Sequence, residues 1–226
     1  MDGMTDYHSH VLPGVDDGIV TLEKALHTLN FYEKIGVRDL WLTPHIMEDY
    51  PNQTTDLQRE FSAFSAAYRN NCGERPVTLH LASENMLDSL FFQRLDEGDL
   101  LPIIDGRQIL VETFCCNPPF GFENLLDQIA YKGYMPILAH PERYRYMSMS
   151  DYRDLHDRGI KFQLNLTSVV GAYGTEVQAK AHTLLKKGYY SMLGSDLHHP
   201  ENFARMVGIP VRKSVLDSLR SLINES

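Results

Sequence analysis

The sequence predicts an α/β fold, a barrel of about seven parallel β/α units forming a single domain over residues 1–226. Three observations predict it. Strand-like and helix-like stretches alternate along the chain, the pattern of parallel β/α architecture. Most strand-like stretches are short apolar runs, as expected where helices cover a sheet. No Gly-x-Gly-x-x-Gly follows the first strand, which weakens the open-sheet, nucleotide-binding alternative.

Residues 4–7 read as the first strand and run into Asp6-Tyr7-His8-Ser9-His10 and then Gly14-Val15-Asp16-Asp17-Gly18. Thr21 has the chemistry of an N-cap, and Leu22, Ala25, Leu26 and Leu29 fall at helical spacing up to the stop signal Gly36. Residues 37–42 form a second strand ending in Thr43-Pro44-His45, and 56–68 a helix. Residues 77–82 form a third strand, ending in Ser83-Glu84-Asn85, and 87–95 a short helix. Residues 108–111 are a fourth strand, ending in Glu112-Thr113-Phe114, with a helix over 124–132 stopped by Gly133. Residues 135–138 are a fifth, ending in Ala139-His140-Pro141-Glu142-Arg143-Tyr144, with a helix over 151–158 closed by Gly159. Residues 161–164 are a sixth, followed by Asn165-Leu166-Thr167, with a helix over 176–187 closed by Gly188. Residues 190–193 are a seventh, ending in Gly194-Ser195-Asp196-Leu197-His198-His199, and a helix over 211–223 follows. No linker, repeat or low-complexity segment interrupts the series.

The 226 residues are 43% hydrophobic and 23% charged, an ordinary globular balance. Net charge is −9 with no basic block, which argues against nucleic acid as a partner. No apolar run approaches the roughly 20 residues of a membrane span, and no leader pattern precedes the first motif. Three cysteines, Cys72, Cys115 and Cys116, are odd in number and two are adjacent, which suits free thiols in the cytoplasm better than a disulfide framework.

The functional signal is positional. His8, His10, His45, Glu84, Glu112, His140, Asp196 and His198 are all expected just past the C-terminal end of a strand, and in a β/α barrel that is the one face where active sites are built. His8 and His10, one residue apart on an extended segment, point the same way. Asp196-x-His198 repeats that spacing, and Asp16 or Asp17 can reach over from the first loop. Imidazole with carboxylate is a ligand set for Zn, Mn or Fe. Nine candidates exceed the roughly four ligands of a single zinc site, so two or three divalent ions are expected, bridged by carboxylates about 3.5–4 Å apart. Such clusters suit phosphate-ester hydrolysis, and Arg143 beyond His140 can grip phosphate oxygens. His27, His80, His156 and His182 lie in helices or inside a strand and read as surface or packing residues. Nucleophilic alternatives are poor. No Cys is followed six residues later by Arg, and there is no Gly-x-Ser-x-Gly and no Walker loop.

Asp6-Tyr7-His8-Ser9-His10, Val15-Asp16-Asp17-Gly18, Thr43-Pro44-His45, the Glu84 segment, Val111-Glu112, Ala139-His140-Pro141-Glu142-Arg143-Tyr144 and Ser195-Asp196-Leu197-His198 together resemble the PHP (polymerase and histidinol phosphatase) superfamily. Within it the chain is most similar to the metal-dependent tyrosine-protein phosphatases of bacterial capsule and exopolysaccharide loci. The resemblance implies a distorted, TIM-like (β/α)7 barrel holding three divalent metals, usually manganese. It implies His8, His10, Asp17, His45, Glu84, Glu112, His140, Asp196 and His198 as ligands, with Asp17 preferred over Asp16. Arg143 is implied as the phosphate-holding arginine, acting in catalysis with His140 and Asp17. Arg205 is the nearest match to a second phosphate-binding arginine, at a different spacing and beyond Pro200. The implied reaction is in-line attack on phosphotyrosine by metal-activated hydroxide without a phosphoenzyme, and the implied partner is the tail of a bacterial tyrosine kinase. The competing expectation is a small-molecule phosphomonoesterase of histidinol-phosphate type on the same barrel. Oligomeric state is left open.

Overall fold

A computed structural model describes residues 3–225, so Met1, Asp2 and Ser226 of the expected 1–226 domain lie outside it. In chain order the elements are β1 (Met4–Ser9), α1 (Leu22–Ile35), β2 (Val37–Leu42), β3 (His45–Ile46), α2 (Thr54–Arg69), β4 (Thr78–Leu81), β5 (Glu84–Met86), α3 (Ser89–Glu97), β6 (Gln108–Glu112), α4 (Phe122–Tyr131), β7 (Met135–Ala139), α5 (Met149–Asp157), β8 (Lys161–Asn165), α6 (Thr175–Lys186), β9 (Tyr190–Gly194), α7 (Pro200–Val207) and α8 (Lys213–Glu225). The chain is α/β and every strand ladder is parallel.

Local chemistry explains the helix ends. The Thr21 hydroxyl accepts from Lys24 N at 3.3 Å, and Gly36 closes α1 with φ +82°; a cap of this kind is worth about 1 kcal/mol. Ala25, Leu29 and Tyr32 are the face that α1 buries. Ser148 and Asp151 form a capping box that starts α5 two residues before the expected position.

The seven expected strands correspond to nine. Two of them break and resume, β2 as β3 and β4 as β5, and the breaks divide the sheet into β1-β2-β4 and β3-β5-β6-β7-β8-β9. Pro44 has no N–H to give a ladder. Thr43 N instead donates to Ser9 O at 2.8 Å, and Pro44 O accepts from Glu84 N at 3.2 Å. This corrects four placements. His45 and Glu84 are the first residues of β3 and β5, Glu112 ends β6, and His8 lies within β1, so these are strand residues rather than residues past a strand. The face they share is the same.

β9 returns to β1 without a named ladder. The two meet through Asp196 N to His8 O at 2.8 Å, His10 N to Leu197 O at 3.1 Å and a parallel bridge between Ser9 and Leu197. Below these bonds the Asp6 carboxylate, fully buried, accepts from Ser195 N (2.8 Å), His8 N (3.2 Å) and Tyr32 Oη (2.8 Å). A side chain thus joins the first and last strands. Tyr7, Ala82, Ile103, Leu110, Ile137, Ala139 and Met192 form a small apolar cluster. Most sit one or two positions before a site residue. The larger core lies mainly between strands and helices.

α7 was not expected. It has eight residues with only Phe203 buried, too little for helical periodicity to show.

Candidate metal centre

β1 delivers His8, and the residue after its end delivers His10 on the same side; their Nε2 atoms are 3.1 Å apart. Their outer nitrogens are spoken for. The Gln163 amide donates to Leu164 O, which turns its oxygen toward His8, so His8 Nδ1–H donates to Gln163 Oε1 at 2.8 Å. His10 Nδ1–H donates to Asp16 Oδ2 at 2.8 Å. In the neutral rings each Nε2 then carries a lone pair, and the two lone pairs face each other. Glu84 Oε2 adds further negative charge, 3.1 Å from His8 Nε2 and 3.2 Å from both His10 Nε2 and His45 Nδ1. Glu84 Oε2 and His45 Nδ1 are buried and have no hydrogen-bond partner among the described residues. Converging lone pairs in a buried site repel unless a positive charge sits among them. This donor set fits divalent cations.

Three overlapping groups have their ligand atoms within 4.8 Å of one another: His8, His10, Glu84 and Asp196; His45, Glu84 and Glu112; His10, Asp17, His45 and His198. His140 Nε2 joins at 3.0 Å from Glu84 Oε1 and 3.6 Å from Glu112 Oε2. All nine side chains named from the sequence therefore meet at one place. His140 and Asp196 reach it with left-handed backbone, φ +33° and +51°. Non-glycine residues adopt that only when the surroundings impose it; here Asp196 N is held by His8 O, and His140 N donates to Gln163 Oε1 at 3.3 Å.

The family model described as capsular polysaccharide synthesis, CpsB/CapC, matches residues 4–209. The chain belongs to the CpsB/CapC family. The tyrosine-protein phosphatase YwqE of Bacillus subtilis (strain 168) is 25% identical over 201 residues, covering 87% of this chain and 78% of that protein. The tyrosine-protein phosphatase CpsB of Streptococcus pneumoniae is 23% identical over 204 residues, covering 87% of this chain and 83% of that one. A crystal structure from work on YwqE and CpsB, described as metal-dependent tyrosine phosphatases, matches with a TM-score of 0.79 at 22% identity, over 99% of this chain and 96% of that one. A zinc-bound amidohydrolase from Burkholderia ambifaria matches at 0.52 and 10% identity, over 98% and 84%. The two structures share the fold.

In this CpsB/CapC chain the two loop aspartates do different things. Asp16 is buried against His10 Nδ1 and also accepts from His45 N at 3.1 Å and Gly18 N at 3.0 Å. Asp17 places Oδ1 3.5 Å from His45 Nε2 and 3.4 Å from His198 Nε2. Gly18 is dictated by contact, since a Cβ there would lie 2.3 Å from His10 O and 2.5 Å from His10 Cβ. Gly18→Ala is expected to push His10 off its position and weaken metal binding by about 10–100-fold, the range for losing an outer support. Metal titration against a competing chelator checks this.

Arg143 is already engaged: its Nη1 donates to Asp196 Oδ2 at 2.7 Å, and its guanidinium lies over the Tyr173 ring. Arg205 stands apart from the nine ligand candidates. It is exposed and donates to Asn202 Oδ1 on α7, although it lines the same open cavity as Arg143, Asp17 and His198. Several supporting residues were missed from the sequence: Asp6, Gln163, Asn165, Tyr173 and Ser195. Gln163 and Asn165 alternate with apolar Phe162 and Leu164 at the end of β8, the same spacing that marked His8 and His10. His80 and His156 stack on Trp41 and Tyr189, and His182 meets Val169 O, so these three are packing or surface groups.

The side chains by themselves polarise one another. Burial opposes charge on His8, but the Glu84 and Asp196 carboxylates outweigh it and raise its pKa above 6.5. His10 is likewise opposed by burial and lifted well above 6.5 by Asp16 and Glu84. Burial, aided by His10, lowers His45 to about 4. Burial and, among its neighbours, His10 lower His198 too. Burial works to raise Glu84, yet His8 and His45 hold it well below 4.5; burial and the Glu84 charge push Glu112 well above. The signs predict a stability profile for chelated protein. His45 and His198 stay neutral when folded and favour a rise toward pH 6.5, whereas Glu112 stays protonated when folded and opposes that rise. His8 and His10 keep protons when folded, so stability falls as pH climbs from 6.5 through their folded pKa values. Above pH 6.5 these signs agree, so the melting temperature of chelated protein is expected to fall there, and bound metal is expected to abolish that fall, since ligands bind deprotonated. Thermal melts with and without Mn²⁺ from pH 5 to 9 check this.

Proposed function

We propose that this chain is a metal-dependent protein-tyrosine phosphatase, a phosphoric monoester hydrolase acting on phosphotyrosine, as its relatives are named. The observation that carries it is the set of facing His8 and His10 lone pairs against Glu84, with Arg143 beside the same site. Two or three divalent ions, manganese in this reading, would be held by His8, His10, Asp17, His45, Glu84, Glu112, His140, Asp196 and His198. When bound they supply Lewis-acid charge and activated water.

The chain's own residues do the rest. Gln163 and Asp16 fix the tautomers of His8 and His10. Asp196 and Tyr173 hold the Arg143 guanidinium at the edge of an open cavity of about 520 Å³, where its remaining N–H groups bind phosphoryl oxygens. Arg205 offers a second positive charge at the rim. A tyrosinate leaving group, pKa about 10, lessens the need for a strong general acid. The substrate in this reading is a tyrosine-phosphorylated protein, the tail of a bacterial tyrosine kinase controlling capsule or exopolysaccharide synthesis, met in the cytoplasm by a one-domain chain over 1–226. No described helix is long and apolar enough to cross a membrane.

The test strips metal with a chelator, reloads Mn²⁺ and follows p-nitrophenyl phosphate and phosphotyrosine-peptide hydrolysis, with His140→Ala alongside. Metal-restored activity that favours the peptide and disappears in the variant is expected. Activity on small esters alone indicates the small-molecule phosphomonoesterase instead. No turnover with metal bound overturns the enzyme reading.

A further inference from the structure

Beside the metal centre, three side chains close a ring of contacts with the guanidinium of Arg143. Its Nη1 donates to Asp196 Oδ2 at 2.7 Å. The same carboxylate oxygen accepts from Asn165 Nδ2 at 2.8 Å, and that amide nitrogen also donates to Tyr173 Oη at 3.2 Å. The Tyr173 ring returns to the start, its centroid 4.6 Å from Arg143 Cζ.

Each support is itself pinned. Asn165 N donates to Glu142 Oε1 at 3.0 Å, and Asn165 Oδ1 accepts from Thr167 N at 3.0 Å. Tyr173 sits in a tight turn between Gly171 and Gly174, both at positive φ (+85° and +94°). Ala172 N donates to Thr167 O at 3.2 Å and Gly174 N to Gly171 O at 3.1 Å. The ring therefore comes from a braced turn rather than a loose loop, and Tyr173 and Arg143 both line the open cavity.

Asp196 grips one nitrogen of Arg143. The Cys115 thiol also meets this side chain; such edge contacts leave the plane of the fork free to tilt, whereas a flat ring under the guanidinium sets that plane. Bidentate binding of a phosphoryl group needs the plane set.

We propose that Tyr173 is a positioning residue that presets the Arg143 guanidinium so its free N–H edge faces the cavity ready for a phosphoryl group. The proposal rests on the reading of Arg143 as the phosphate-holding residue. The ring carries the effect, and the Tyr173 hydroxyl, through Asn165, only orients the ring.

The experiment compares wild type, Tyr173→Leu, Tyr173→Phe and Arg143→Ala by three readouts. Calorimetry of the Mn²⁺-loaded proteins gives the affinity for inorganic phosphate. Steady-state kinetics with p-nitrophenyl phosphate separate KM from kcat. In chelated protein, ¹⁵N–¹H spectra follow the Arg143 Nε–H signal, which the ring beneath it shifts upfield. Tyr173→Leu is expected to weaken phosphate and raise KM about tenfold, the size one cation–π contact supports. It should leave kcat and metal content near wild type and abolish the upfield shift. Tyr173→Phe should stay near wild type in all three. Wild-type phosphate affinity in Tyr173→Leu or in Arg143→Ala overturns the proposal, as does a loss of kcat and metal with KM unmoved. If wild type hydrolyses nothing under any metal, the phosphatase reading fails by itself, and phosphate affinity and the Arg143 signal still decide the role of Tyr173.

Discussion

Glu84→Gln is expected to lose bound metal and to drop kcat/KM by at least about 10²–10³-fold, comparable with or larger than removing one preorganised charge-stabilising group. No other side chain is as central. Its Oε2 lies within 3.2 Å of three ring nitrogens and its Oε1 lies 3.0 Å from a fourth. It is the carboxylate common to two of the three ligand groups. The amide keeps the volume and the place in the sheet, where Glu84 pairs with His45 and Leu110. It replaces a charge shared by several imidazoles with an N–H₂ that ligates nothing. Elemental analysis after reloading should show fewer ions per chain than wild type. A variant with full metal content and wild-type turnover would remove Glu84 from the centre.

Asp6→Ala is expected to unfold the protein about 10 °C lower. The Asp6 carboxylate takes three hydrogen bonds in a fully buried setting, from His8 N, Ser195 N and Tyr32 Oη. Each donor left alone costs about 1–3 kcal/mol, so a total of roughly 3–5 kcal/mol is expected after partial relaxation. In a chain of this size each kcal/mol moves the midpoint by about 2–4 °C. Asp6→Asn, keeping one acceptor oxygen, should fall between. The loss should appear in chelated protein as well as metal-loaded protein, because the clamp is built from the chain alone. A melt within about 2 °C of wild type would show that water or the backbone takes over the three donors.

The alternation of elements and the face that carries the chemistry were legible from the sequence because both depend on short-range pattern. Strand runs ending in His or carboxylate announce themselves residue by residue. The break at Pro44 was visible as a residue, but its consequence, a second strand segment starting at His45, depends on pairing with Glu84 and cannot be seen locally. Asp16 and Asp17 were indistinguishable by spacing, and only the three-dimensional contact with His10 Nδ1 tells them apart. Arg143 was recognised as a cation, while its partners Asp196 and Tyr173, and Asn165 which joins those two, come from three other points of the chain. Polar residues that support a site from behind carry no periodic signature, so Asp6 and Gln163 passed as ordinary strand residues.

The bond between Ser195 and Asp6 spans 189 positions in sequence. During synthesis the ribosome therefore makes His8 and His10 long before the residues that complete their surroundings. Until the β9 segment emerges, β1 has one open edge and its two imidazoles lack Asp196 and His198. Growing chains with such an edge are exposed to mispairing and aggregation. The nascent polypeptide must wait for its last strand before it can seal its first, and a cation captured earlier would meet only part of its cage. Assembly of the centre thus marks a finished fold rather than a step on the way to one.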